Sequence, residues 1–481
     1  MNKPVITRFA PSPTGFIHVG AVRTALFAWL FTQKNHGTLI LRIEDTDKAR
    51  EVEGSIQHII DSLKWVGISW NEGPDIGGPH APYFQSERLE LYKKYADILV
   101  QKGLAYADPY TTEELDAFRK KSKEAEKPFL YREYRPENPP AWDGTKPLRL
   151  KTTPKSYAWK DAARGELSAG PEAVDDFVLI KSDGYPTYNF AHIIDDLEMG
   201  VTHIFRADEF ISSTPKFLSL YEALEIEHPE LVTLPPIMGE DGKKKLGKRD
   251  GAKDILEYKK EGILPEAMMN FLALIGWNPG TEQEIFKPEE LIELFDITKI
   301  QVSGGKFNEE KLQWINKQHI NVLPEEKLIS IIKEKLEKKG SVSDALVKKA
   351  VPIIIERVHT FGEIDAMLEA GEFDYIFNDP EFEADLMNWK GQKDTEATTR
   401  RLNEVMKLWG SIDEKDYSRD IMKTALWDYA TAEGRGEVLW PTRVALSGKE
   451  KSPDPFVLAE LLGKQTTLKR LKNAVEKMTH A

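Results

Sequence analysis

Two short segments of this 481-residue chain carry residue types suited to holding phosphate. The first is Pro11-Ser12-Pro13-Thr14-Gly15-Phe16-Ile17-His18-Val19-Gly20. A β-prone run, Val5–Phe9, delivers this Pro/Gly-stiffened loop to the start of a helical pattern. A helix N-terminus attracts anions through its unsatisfied amides and its dipole. His18 stands just before that helix, where its ring can donate to a phosphate oxygen. Gly20 leaves room for a flat base or a ribose to approach the backbone. Taken alone, His18 reads equally as a loop-packing histidine. The second segment is Lys243-Lys244-Lys245-Leu246-Gly247-Lys248-Arg249-Asp250-Gly251. A basic loop with glycines at Gly242, Gly247 and Gly251 can close over a triphosphate and stabilise charge developing on leaving pyrophosphate. By itself it reads also as a solvated lysine run.

Both segments need a frame to bring them together. Val5–Phe9, a helical pattern from Gly20 to about Asn35, and Thr38–Ile43 read as strand, helix and strand. Val22, Leu26, Trp29 and Leu30 share one face of the helix, Lys34 and His36 suit its C-terminal dipole, and Gly37 stops it. That order is a βαβ unit, hence a parallel sheet with a ligand crevice at the carboxyl ends of its strands. Arg8 ends the first strand and Arg206 a later β-prone run, Val201–Arg206, so both face that crevice, and Glu44 stands at the end of the second strand. Residues from about 100 to 180 are rich in Lys, Glu, Tyr and Pro and read as an insertion, with sheet-like sequence returning at Phe177–Lys181. From about 252 onward the pattern is helical: Leu328, Ile331, Ile332 and Leu336 follow a Pro324–Lys327 start, and Leu468, Leu471, Val475 and Met478 repeat the spacing.

Bulk properties bound the class. The length exceeds one ordinary core, and 41% hydrophobic with 30% charged residues suits a soluble globular chain. No apolar signal region follows MNKPVITRFA, and no apolar run approaches the about 18 residues of a membrane span. A cytoplasmic protein with no membrane partner is expected. The absence of cysteine excludes disulfides and thiolate metal sites. A net charge of −13 lowers the case for a general DNA binder more than for a protein that selects one RNA along a local basic track.

In the form Pro11–Gly20, ending His18-Val19-Gly20, the first segment resembles the HIGH motif of class I aminoacyl-tRNA synthetases. Lys245-Leu246-Gly247-Lys248-Arg249 resembles their KMSKS motif, with Gly247 removing the hydroxyl donor of the usual serine. Thr7–Gly15, Leu41–Asp47, Gln85–Arg88 and Asp183–Tyr188 are similar, in that order and spacing, to glutamyl-tRNA synthetases of the bacterial type. The resemblance implies an α/β Rossmann-like nucleotide-binding catalytic domain with an inserted α+β acceptor-binding domain. A helical stem-contact region and an all-α anticodon-binding region are expected to follow. The implied divisions are 1–98 and 186–251 for the two catalytic halves, 99–185 for the insertion, 252–322 for the stem and 323–481 for the anticodon region, the last in two subdomains.

The resemblance also assigns roles. Arg8 and Arg206 bind substrate carboxylate, Tyr188 adds a hydroxyl, Glu44 takes the ammonium, and Ala10 and Ser12 line the glutamate site. Outside this constellation Glu44 reads as an ion-pair partner and Tyr188 as a core aromatic. ATP is expected on Thr14, Gly15, His18, Gly20, Glu209, Lys245 and Lys248, with His18, Lys245 and Lys248 stabilising the transition state. Magnesium is expected on the ATP phosphates, which need little protein cage. No protein metal site is expected: Asp45 and Asp47 read as partners of loop amides, Lys48 and Arg50. Zinc is not expected either, because Asp108 and Tyr110 stand near the places where zinc-holding relatives carry Cys-x-Cys. The implied activity is glutamate attachment to tRNA(Glu) through glutamyl-adenylate by a monomer. Charging of tRNA(Gln), the residues that read the anticodon, and any need for tRNA in activation stay open. A glutaminyl enzyme is disfavoured by Arg206 and the helical C-terminal region, a truncated relative by that region's presence, and a non-catalytic paralogue by retention of His18 and the loop lysines.

Overall fold

The computed structural model describes residues 4–247, 253–391 and 394–480. Residues up to Lys260 together with Leu264–Ile315 form one compact unit. Glu261–Ile263 and the chain from Asn316 onward form a second.

In the first unit, β1 (Ile6–Phe9), α1 (Val19–Lys34) and β2 (Thr38–Leu41) make the expected βαβ unit, the strands pairing in parallel with Arg8 opposite Ile40. The helix is more deeply set than a one-faced pattern implies: Ala25, Phe27 and Ala28 are buried alongside Val22, Leu26, Trp29 and Leu30. A helix apolar on nearly all sides belongs inside a layered fold. After β2 come α2 (Ser55–Val66) and α3 (Leu89–Gln101), then β3 (Ala105–Ala107), α4 (Thr112–Glu124) and β4 (Leu148–Leu150). The hairpin β5 (Tyr157–Asp161) and β6 (Gly165–Ala169) precedes β7 (Val178–Ile180), α5 (Tyr188–Glu198), β8 (His203–Ala207), α6 (Thr214–Leu224) and β9 (Glu230–Leu234).

β8 and β9 pair in parallel. Thr202, just before β8, donates its amide to the Ile6 carbonyl (2.8 Å) and accepts the Ile6 amide on its hydroxyl (2.9 Å). Further along, Arg8 reaches the Phe205 carbonyl (3.5 Å), so β1 and β8 run side by side in one direction. The carboxyl ends of these strands therefore open on a common crevice.

The stretch expected as an insertion contributes two different sheets. β3, β4 and β7 form a three-stranded antiparallel sheet. Leu148, Leu150 and Leu179 from it pack with Tyr92 and Leu99 of α3, Phe190 and Ile193 of α5, and Phe217 of α6. The β5–β6 hairpin instead extends the β8–β9 sheet, in the order β6-β5-β9-β8. Buried Asp161 secures that join, accepting the Thr233 hydroxyl at 2.6 Å and the Thr233 amide at 3.2 Å. Residues far apart in sequence make this pairing, so local pattern does not reveal it. Asp108 holds the end of β3: it accepts from Arg149 Nε at 2.7 Å and from the Tyr131 hydroxyl at 2.7 Å, with Arg149 lying 3.5 Å over the Tyr131 ring.

After β9, β10 (Ile237–Met238) leads to the basic segment, followed by α7 (Ile255–Lys260), α8 (Pro265–Leu274), α9 (Pro288–Leu294), β11 (Gly305–Lys306) and α10 (Glu309–Asn321). The division between units falls within α10, before the expected boundary at 322.

The second unit contains α11 (Glu325–Glu337), α12 (Asp344–Arg357), α13 (Phe361–Glu369), α14 (Thr395–Gly410), α15 (Arg419–Glu433), α16 (Arg435–Ser447) and α17 (Pro455–Thr479), with no strand among the described residues. Side-chain caps start several of them: Ser343 for α12, Thr360 for α13, Asp394 for α14 and Asp454 for α17. Gly463, at φ 77°, breaks α17 in a backbone region that glycine enters without strain. Arg470, almost fully buried, ties α17 to the Leu446 carbonyl at 2.8 Å and the Asn378 carbonyl at 2.7 Å.

Asp108 and Arg149 are both largely buried, with side chains 1% and 12% exposed. Asp108→Ala removes the carboxylate paired with that guanidinium, leaving it the Asp176 carbonyl and the Tyr131 ring, and is expected to lower stability by about 3 kcal/mol. Urea unfolding followed by circular dichroism measures it. A loss under about 1 kcal/mol would mean that the pair behaves as a surface ion pair.

Candidate active site

The phosphate-type turn is built from the backbone outward. β1 ends at Phe9, and its continuation is stitched to the chain after β2: Arg42 donates its amide to the Phe9 carbonyl (3.0 Å) and Glu44 donates to the Pro11 carbonyl (3.0 Å). The Pro13 carbonyl accepts from the Val52 amide at 2.9 Å and from the Ser55 hydroxyl at 3.0 Å, fixing the middle of the turn. Ser12 and Thr14 are exposed, and Ala10 and Gly15 half-buried. His18 is the N-cap of α1, and its Nδ1 accepts from the Gly20 amide at 3.1 Å. An Nδ1 that accepts carries no proton, so the neutral ring holds its hydrogen on Nε2 and is a donor there. A Cβ at position 20 would approach the His18 ring to 3.0 Å, which is why glycine stands beside it.

The basic segment is anchored at its entry. The Leu246 amide donates to the Ile237 carbonyl and the Gly239 amide to the Lys244 carbonyl, both at 2.8 Å. Lys245 pairs with Glu209, which follows β8, and both side chains are about half exposed. Lys248 lies outside the described residues.

Below the turn lies a buried charged cluster. Arg8 places Nε on Asp196 at 3.0 and 3.2 Å. Arg42, fully buried, reaches Asp196 at 2.8 Å, Glu44 at 3.2 Å and Asp195 at 3.6 Å. Asp195 also accepts from Arg88 (2.7 Å), Gln85 (2.8 Å) and Tyr92 (2.9 Å). Burial raises the Asp196 carboxyl, but Arg8 and Arg42 outweigh it and hold the group at about 2. For Glu44 the balance reverses: burial pushes it up to about 7 against the pull of Arg42 and Arg8. Burial likewise raises the Tyr188 hydroxyl, with Glu44 adding to the effect and Arg206 and Arg8 opposing it.

Arg206 differs from the other guanidiniums. It is 6% exposed, and its Nε and Nη1 have no hydrogen-bond partner among the described residues. Its charge lies over the Phe217 ring at 5.1 Å and the Phe210 ring at 5.8 Å. A buried cation left with two donors unmet costs several kcal/mol, so the site is complementary to an anion that supplies acceptors. Tyr188 stacks on His192 at 4.7 Å, and His192 donates from Nδ1 to the Tyr188 carbonyl at 2.7 Å. Burial, reinforced by Arg206, lowers His192 to about 3 and keeps it neutral.

Arg8, Glu44, Tyr188 and Arg206 thus gather around Asp196, while His18 stands in the turn above them and Lys245 with Glu209 at the loop entry. Sequence reasoning quoted Arg42, Gln85 and Arg88 within the resembling segments but gave them no role, and it missed His192, Asp195 and Asp196. An available signal was the adjacent acids Asp195-Asp196 directly after Ile193-Ile194, a pairing of charge with apolar sequence that marks a buried ion network. Asp45 is occupied structurally, accepting from Lys48 at 2.8 Å and from the Ser86 amide at 2.9 Å, and Asp47 pairs with Arg50 at 2.6 Å.

Comparison with known proteins agrees in extent with the two units. Residues 4–314 match the catalytic domain of the class I tRNA synthetases (E and Q), and residues 322–475 match an anticodon-binding domain. A glutamate–tRNA ligase of Clostridium botulinum is 38% identical over 490 residues, covering 99% of both chains. One from an Anaeromyxobacter species is 36% identical over 484 residues, again covering 99% of both. The solved structure of a glutamate tRNA ligase from Elizabethkingia meningosepticum, in complex with its amino acid, is 34% identical with a TM-score of 0.89, over 99% of this chain and 100% of that one. This chain belongs to the class I tRNA synthetases (E and Q).

Proposed function

We propose that the chain attaches L-glutamate to tRNA(Glu) in two steps. In the first, an oxygen of the glutamate α-carboxylate attacks the α-phosphorus of ATP. The bond to the bridging oxygen of the β-phosphate breaks, giving glutamyl-adenylate and pyrophosphate. In the second, a terminal ribose hydroxyl of the tRNA (the 2′-hydroxyl, as class membership implies) attacks the acyl carbon and AMP leaves. No protein nucleophile is needed, so catalysis is positioning and electrostatics.

Arg206 is the observation that carries the choice of amino acid. Its two unmet donors suit a carboxylate, which accepts a guanidinium fork, better than a neutral carboxamide. The cluster's charge supports the same reading. Four buried guanidiniums, Arg8, Arg42, Arg88 and Arg206, face three carboxylates, Glu44, Asp195 and Asp196, so a ligand of net charge minus one restores balance and a neutral amino acid does not. Glu44 takes the ammonium, Arg8 and Arg206 take carboxylate, and Tyr188 adds its hydroxyl, with Ala10 and Ser12 lining the site. The His18 Nε2 hydrogen donates to a phosphate oxygen. Lys245 exchanges Glu209 for the triphosphate, and Lys248 adds a second cation. Thr14, Gly15, Gly20 and Glu209 line the nucleotide, and magnesium is held by the ATP phosphates. The tRNA acceptor end meets 99–185, its stem 252–322 and its anticodon the helical region from 323.

Arg206→Ala is expected to lower kcat/KM for glutamate at least about 30-fold, the value of one partner in a buried charge pair, while KM for ATP stays near wild type. Unchanged glutamate kinetics would remove Arg206 from the site. Glu44 adds a pH dependence whose sign follows from its raised value of about 7. Protonation as pH falls removes the anion that holds the ammonium, so kcat/KM for glutamate should drop about tenfold between about pH 8 and pH 6. A profile flat across that range would contradict the assignment. Aminoacylation of purified tRNA(Glu) and tRNA(Gln) isoacceptors decides the acceptor, with tRNA(Glu) the one expected to be charged.

A further inference from the structure

The chain leaving the basic segment returns directly to the phosphate-type turn. Asp254 forms an antiparallel bridge with His18, and the Ile255 amide reaches the Ile17 carbonyl at 3.4 Å. Backbone contact alone is a weak hold at a place where a loop must stop and a catalytic turn begins. A side-chain assembly reinforces it. Both carboxylate oxygens of Asp254 lie 2.8 Å from Nε2 of His58, on α2. The two side chains are only 24% and 10% exposed, so solvent screens the contact little. The opposite ring nitrogen of His58 is 3.4 Å from the Ser62 hydroxyl on the same helix. The His58 ring stacks on Phe16 at 4.4 Å, with planes 17° apart. Phe16 belongs to the turn itself, two residues before His18, and is otherwise half exposed. Asp254 also accepts the Leu256 amide at 2.9 Å, capping the start of α7.

One imidazole thus joins three parts of the unit: the turn through Phe16, α2 through its own backbone, and the exit of the basic segment through Asp254. We propose that His58 is a positioning residue that latches the exit of the basic segment to the His18 turn. It holds the segment from Lys253 to Ile255 and the His18 ring in register for phosphate chemistry. The inference rests on the adenylation reading above. It predicts a division of labour: the latch governs the ATP half-reaction, while the glutamate cluster below the turn, built on Asp195 and Asp196, keeps its geometry without it. A merely structural histidine would instead affect folding and both substrates together.

Asp254→Ser is the informative variant, because a serine retains a side-chain cap for α7 and removes the partner of His58. His58→Ala removes the latch from the other side, and His58→Gln places an amide donor near the Nε2 position. Full-length proteins are titrated for active sites, and single-turnover activation of glutamate is followed in the presence of tRNA(Glu). Expected for Asp254→Ser and His58→Ala is about a tenfold or greater loss in the activation rate per active site, with KM for glutamate within about twofold of wild type. The double variant should be no slower than either single variant, because both remove one interaction, and His58→Gln should recover part of the rate. Unchanged rates per active site, additive losses, or an equal rise in glutamate KM would overturn the latch. A wild-type protein without glutamate-dependent activation would overturn the functional reading and this inference with it. An active wild type with unaffected variants overturns the latch alone.

Discussion

Asp196 lies fully buried between Arg8 at 3.0 Å and Arg42 at 2.8 Å, and its neighbour Asp195 holds Arg88, Gln85 and Tyr92. Charges removed from water in this way are tolerated only when each has partners in good geometry. Two adjacent acids on α5 therefore dictate where side chains from β1, from the segment after β2 and from the start of α3 must point. Glu44 and Arg206 are positioned at the edge of this arrangement, where pairing is incomplete. Glu44 shares Arg42 with Asp195 and Asp196, and burial leaves its carboxyl raised, while Arg206 has two donors without a partner among the described residues. Arg206 and Glu44, two of the groups proposed to meet substrate, stand beside partners that the cluster holds in place, whereas Arg8 is itself held by Asp196.

Phosphate chemistry is arranged differently, by backbone. The turn from Pro11 to Gly20 is laced to the segment after β2 and ends in an N-cap whose own hydrogen bond to the Gly20 amide sets the His18 tautomer. The basic segment is tethered at β10 on entry and beside His18 on exit. Between those anchors the chain is lysine-rich, which suits a reaction whose transition state spreads negative charge over several oxygens. On this proposal, a buried charged cluster and a backbone-bound turn separate the two recognition problems. In the proposed reading, charge balance selects the amino acid, while backbone amides and the loop lysines handle a triphosphate.

The parts legible in sequence were those that depend on local pattern. The strand–turn–helix from Val5 to Asn35, the stop at Gly37 and the placement of Arg8 and Arg206 near strand ends all follow from residue types within a few positions, whereas the second strand stops at Leu41 and leaves Glu44 three residues beyond it. The helical character of the C-terminal region, with its spaced leucines, was equally local. What sequence reasoning did not supply arises from pairings across long separations. Arg42 and Asp196 stand 154 residues apart and Arg88 and Asp195 107 apart, so neither side announces its partner. The β5–β6 hairpin joins the β8–β9 sheet through Asp161 and Thr233, although its position in the chain suggests membership of the insertion. His192 meets Tyr188 through helical spacing on α5, but only the fold brings Phe217 against it.

A buried excess of positive charge, completed by Arg206, is the feature proposed to select an amino acid of net charge minus one. Glutamate and glutamine have nearly the same shape and differ in that charge, so their comparison isolates it. The direct measurement is kcat/KM for each in tRNA(Glu)-dependent aminoacylation by the wild-type protein, with glutamine freed of contaminating glutamate. The predicted preference for glutamate is at least about 10⁴-fold, the range reached when a site's buried polar groups would otherwise go unpaired. A preference below about tenfold, or one for glutamine, would contradict the account.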